Sequence, residues 1–103
     1  MKNLLVVLLK AAELLGLSKD DLTNAYDFMK HNEYGLCFDT IVTQLYENDV
    51  EIDDDFYLLL SKIAHKMNLP EEKYIFSKEL TRNKQSIPKS VKEELSKLIS
   101  SLG

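Results

Sequence analysis

A chain of 103 residues with 45% hydrophobic and 29% charged side chains is one domain's worth of sequence, and it is too apolar to stay disordered. Its net charge of −4 argues against nucleic-acid binding, which wants a basic face. The single cysteine, Cys37, excludes an internal disulfide, and with only His31 and His65 beside it a four-ligand zinc site is excluded too.

Helical periodicity begins at the N-terminus. Leu4, Leu5, Leu8, Leu9, Ala12 and Leu15 recur at helical spacing, with Val6 and Val7 widening the apolar face. This predicts a first helix over 2–15, buried on more than one side and stopped by Gly16, which tolerates left-handed backbone. The apolar run 4–9 ends at Lys10 after six residues. It is too short for a secretory signal or a membrane span, and the expectation is a cytoplasmic protein that does not engage membranes.

Ser18 is placed to cap a second helix, with Asp21 completing a capping box. Leu22, Ala25, Tyr26 and Met29 form its expected inward stripe, and it ends near His31. Asn32 reads as the cap of a third helix over 33–47. Leu36, Cys37, Ile41 and Leu45 lie on adjacent turns there, and Gly35 suggests close approach of another helix. A loop follows to Asp53, the expected cap of a fourth helix reaching about residue 68. Phe56, Leu59, Leu60, Ile63, Ala64 and Met67 form its core stripe. Pro70, with Glu71 and Glu72, opens a short helix carrying Tyr74 and Phe76. Residues 82–87 read as a polar loop. Pro88 opens the last helix, striped by Val91, Leu95, Leu98, Ile99 and Leu102. Few glycines, prolines and strand formers occur, and no segment alternates strictly. The expected fold class is all-α: a compact bundle of five or six short helices forming a single domain over 1–103.

Chemistry-bearing motifs are missing. The sequence holds no glycine-rich phosphate loop, nucleophile elbow or zinc-protease helix. Cys37 between Leu36 and Phe38 reads as a small buried hydrophobe, and His31 as a helix-end histidine. No catalytic residue, cofactor or metal ligand is assigned, and the chain is expected not to be an enzyme.

The distinctive feature is acidic. Glu47, Asp49, Glu51, Asp53, Asp54 and Asp55 place six carboxylates in nine residues, flanked by Tyr46 and Tyr57. Calcium binding does not fit, because the loop lacks glycine and no acidic residue stands at the twelfth position from Asp49 or Asp53. Two readings stay open. One is a solvated loop and helix start, where the helix dipole favours negative charge. The other is a docking surface for a basic protein, anchored by the tyrosines. Residues 78–103 balance the acids in part, with six basic residues against three acidic ones, a net of +3 beside −7 for the rest.

The run from Tyr26 to Phe38, continuing through Leu45-Tyr46-Glu47, the acidic loop, Phe56-Tyr57 and Ile63-Ala64, resembles the MafI-like family of small bacterial immunity proteins. The matching pattern is a helix, an Asn-Glu-Tyr-Gly-Leu turn, a Leu-Tyr-Glu helix end, an acidic loop and another apolar helix, over about residues 20–70. Cys37 stands where the family often has alanine. Such proteins accompany polymorphic toxins, including those of contact-dependent growth inhibition. The resemblance implies a cytoplasmic protein, monomeric or weakly dimeric, that binds the C-terminal toxin domain of a cognate partner and blocks it. That partner is expected to be a basic nuclease of the EndoU-like or another RNase class. Tyr46, Glu47, Asp49, Glu51, Asp53, Asp54, Asp55 and Tyr57 are the expected toxin-binding residues, on the grounds of charge. The alternative is a non-catalytic helical adaptor or regulatory subunit, with the last helix as a detachable arm.

Overall fold

Helix α1 spans Lys2–Leu15 and lies against every other α-helix of the computed structural model, which describes residues 1–82 and 87–102. The other α-helices are α2 (Lys19–Lys30), α3 (Tyr34–Glu47), α4 (Asp54–Lys66) and α5 (Lys89–Ser100). Two 3₁₀ segments, Glu71–Lys73 and Ile75–Leu80, run between α4 and α5. Among the described residues there is no strand, and the protein is an all-α bundle. Its radius of gyration, 12.4 Å, matches the roughly 13 Å expected of a globule this size.

The central place of α1 follows from its sequence. Leu5, Leu8, Ala11 and Ala12 are buried, while Leu4, Val6, Val7, Leu9, Leu14 and Leu15 are half-buried around them. A helix apolar on so many sides needs neighbours on more than one flank. The α2–α3 pair provides one set of contacts and the α4–α5 pair another. Each fully buried leucine contributes about 1.5–3 kcal/mol. One connected cluster results, running through Met29, Phe38, Ile41, Phe56, Leu60, Ile63, Leu80 and Leu95. Helix α5 belongs to it through Leu95, so it is packed against α1 and α4 rather than held as a free arm.

Helix starts and stops use local chemistry. Ser18 Oγ accepts the Asp21 amide at 3.2 Å, and Asp53 Oδ1 accepts the Phe56 amide at 2.8 Å, as expected of both. Four helices stop the same way. Gly16, Asn32, Asp49 and Asn68 take positive φ, and the next amide returns to a carbonyl five residues back. That pattern satisfies carbonyls the helix would leave without partners. Asn32 therefore ends α2 rather than capping α3, whose N-cap Glu33 makes no side-chain bond; Asn32 Oδ1 instead accepts the Tyr34 hydroxyl at 3.1 Å.

Three further expectations change. Tyr26 and Leu36 are 48% and 47% exposed, because α2 buries only Ala25 and Met29, and α3 turns Cys37, Phe38, Ile41, Val42 and Leu45 inward. Nothing stands within 4 Å of a side chain added at Gly35, so no helix approaches closely there. The segment after Pro70 is 3₁₀ rather than α: Tyr74, Ser77 and Leu80 are its buried residues, and a spacing of three matches the 3₁₀ turn. Of the loop expected over 82–87, residues 83–86 lie outside the described residues.

The two glycines predict opposite outcomes. Gly16→Ala places a side chain at φ +110 and should cost about 1 kcal/mol or more. Gly35→Ala meets open space inside a helix and should gain about 0.5 kcal/mol. Urea-unfolding midpoints check both signs. A loss at Gly35 would mean that the first turn of α3 is not helical.

Candidate protein-docking surface

The acidic segment joins the end of α3 to the start of α4, and its carboxylates do not share one fate. Val50 and Ile52 point it inward. Ile52 is buried, and its amide donates to the Leu80 carbonyl at 3.0 Å, fastening the segment to the second 3₁₀ stretch. Asp49 adopts positive φ as the terminator of α3, and its carboxylate pairs with Arg82. Asp53 is half-buried and caps α4. Glu51 is half-buried and borders two recesses. One lies among Leu14, Leu15, Ile87 and Val91; the other, about 130 Å³, also takes in Asp53, Asp54, Arg82 and Lys92. Glu47, Asp49, Asp54 and Asp55 are turned to solvent, Asp49 with its carboxylate already paired to Arg82.

The flanking tyrosines also differ. Tyr46 is 38% exposed at the end of α3. Its ring stands edge-on to Phe76 at 5.1 Å, and its hydroxyl donates to Glu79 Oε2 at 3.1 Å. That hydrogen bond and the Glu79 charge hold its pKa above the usual phenol range. Tyr57 is half-buried, tilted against Tyr74 at 5.8 Å, and Tyr74 in turn meets Ser61 Oγ at 3.2 Å. Tyr57 thus packs on the core and offers a partner only its rim.

Arg82, Glu79 and Lys92 belong to this surface although sequence spacing did not place them there. Arg82 Nε donates to the Glu79 carbonyl at 3.1 Å while its terminal nitrogens pair with Asp49. The hydrogen bond to Asp49 raises the guanidinium pKa first. Partial burial opposes it, and the charges of Asp49, Glu51 and Glu79 add to it. Arg82 and Lys92 of the basic C-terminal portion therefore lie beside the acidic loop. An exposed pair of this kind adds little to stability, but it removes charge from the outward field. Leu58 was also missed. It falls out of phase with Phe56, Leu59, Leu60 and Ile63, and that offset was visible in the sequence.

Elsewhere, Cys37 is buried and its thiol is pushed up to about 11 by burial. His31 is exposed, with Nδ1 2.8 Å from the Asp27 carbonyl oxygen. Among the described residues, no three His, Cys, Asp or Glu side chains are grouped to hold a metal ion, and no helix is long and apolar enough to cross a membrane.

Burial of the thiol sets a pH dependence. A thiol near 9 unfolded and near 11 folded contributes stability that is whole below pH 9 and is lost as pH rises towards 11. Tyr57, whose pKa burial also raises, acts in the same direction. Cys37→Ala should therefore lose stability less steeply than the parent between pH 9 and 11, as read by urea midpoints. Equal slopes would show that the thiol ionises alike in both states.

No family model matches this chain, and neither a curated protein nor a solved structure matches it significantly.

Proposed function

We propose that this protein is a cytoplasmic immunity protein that binds the C-terminal domain of a cognate bacterial toxin, a basic nuclease, and neutralises it by stoichiometric occlusion. The observation that carries the reading is the exposed set Glu47, Asp54 and Asp55, which lie with Tyr46 on the last turn of α3 and the first turn of α4. Nuclease clefts hold a polyanion, so carboxylates fixed on helix ends are suitable substitutes for phosphates. The resemblance to MafI-like immunity proteins supports the same reading. Its Asn-Glu-Tyr-Gly-Leu run forms the turn from α2 into α3, its Leu-Tyr-Glu run ends α3, and its acidic loop leads into α4.

Rigid placement matters for affinity. The backbone of packed helices loses little freedom on binding, whereas a flexible acidic loop would be ordered at the expense of binding energy. Ile52 and the Asp53 cap remove that flexibility here. Long-range attraction between opposite charges speeds encounter, and capture of a lethal partner requires fast association.

Co-expression with the toxin domain encoded beside the gene tests the reading. Cells should survive, and calorimetry should give a one-to-one complex. The double variant Asp54→Lys with Asp55→Lys should weaken binding at least tenfold and flatten its salt dependence. Asp53 is left intact because its reversal would also remove a helix cap worth about 1 kcal/mol. Cell death with no complex would refute the immunity reading.

A further inference from the structure

Leu58 is 64% exposed, more than any other large hydrophobic side chain among the described residues. It lies on the face of α4 opposite the buried Phe56, Leu59, Leu60 and Ile63. Helical spacing sets Asp54 and Asp55 one turn before it, and Lys62 one turn after it. All three are exposed, so the leucine is the apolar centre of a charged helix face that none of the described elements covers. The core does not require an apolar residue there.

The charges around it define what fits. A nucleic acid would set phosphates against Asp54 and Asp55. A second copy of this face would bring the same carboxylates together unless it met Lys62. A mainly basic protein surface fits this face when it offers Lys or Arg side chains to the two aspartates, an apolar recess to the leucine and an acidic or carbonyl acceptor to Lys62. We propose that the solvent face of α4 is the toxin-docking face, with Leu58 as its apolar anchor seated in a recess edged by basic side chains of the partner. This rests on the immunity reading and specifies its contact surface. Anchors of this kind bury apolar area inside a ring of polar contacts that exclude water, and they govern dissociation more than encounter. Tyr57 and Asp53, which flank the same turn, are engaged internally and do not supply that anchor.

The test is calorimetric titration of the full chain against the adjacent-gene toxin domain carrying an inactivating substitution. Leu58→Ala leaves the core untouched and favours helix, so the melting curve should be unchanged or raised. It should weaken the complex about thirtyfold or more. Leu36→Ala removes an equally ordinary exposed leucine from α3 and should leave affinity within about twofold. A Leu58→Ala protein that binds like the parent overturns the α4 face and leaves the immunity reading standing, as does a loss confined to Leu36→Ala. A parent protein that forms no complex overturns the immunity reading and this face with it.

Discussion

Burial of α1 is the constraint on which the other elements depend. Its exposed residues are confined to Lys2, Asn3, Lys10 and Glu13; the remainder is apolar and at least half-covered. The α2–α3 pair and the α4–α5 pair each pack together, yet both also pack on α1. Two helix pairs of this size would bury little core alone, because short chains bury only a modest fraction of their surface. With α1 shared, Leu5 and Leu8 become part of the same cluster as Phe38 and Phe56. The entropy lost in ordering the chain is of order 1–2 kcal/mol per residue, so this shared burial is what offsets it.

The links between helices are as constrained as the helices. Gly16, Asn32, Asp49 and Asn68 each reverse the backbone at positive φ, and after three of them a hydrophobic residue follows: Leu17, Val50 and Leu69. Leu17 is buried, and Val50 and Leu69 are packed against the core, so these three reversals are anchored by a side chain as well as by hydrogen bonds. The acidic segment is one of these links. Its negative charge therefore has two origins: Asp49 and Asp53 serve chain reversal and capping, while Glu47, Asp54 and Asp55 are left to act outward.

How legible this was in the sequence depended on how local the physics is. The bounds of α1, the caps Ser18 and Asp53, and the stripe from Phe56 to Ala64 follow from spacing and short-range hydrogen bonding, and the structure agrees with them. Asn32 misled because asparagine suits both a helix start and left-handed backbone, and only the neighbouring turn decides between them. Tyr26 and Leu36 misled because an apolar residue at the edge of a stripe is buried only if a neighbour reaches that far. The 3₁₀ geometry after Pro70 depends on Tyr74 reaching Phe38 and Tyr57, which are distant in sequence. The pairing of Arg82 with Asp49 depends on the chain returning from the second 3₁₀ segment. Counting acids thus overstated the free charge of this segment.

That overstatement changes what the surface can do. Six mutually repelling carboxylates would attract a cation strongly and hold it with little geometric preference. With Asp49 matched by Arg82, and Arg82 and Lys92 bordering the same recess as Asp53 and Asp54, the field is reduced near the core and persists at the helix ends. Outward charge of that size steers encounter, since attraction over about 8–10 Å survives at physiological salt. It does not by itself keep a complex together, because exposed ion pairs contribute about 0–1 kcal/mol each. A tight complex therefore has to draw its lifetime from apolar contact, and Leu58 is the large hydrophobic side chain that solvent reaches most among the described residues. Tyr46 is already committed to Phe76 and Glu79, whereas Leu58 lies on the open face of α4. Under the proposed function a division of labour follows from that difference: the aspartates of the first turn of α4 would set how fast a basic partner arrives, and the leucine one turn later would set how long it stays.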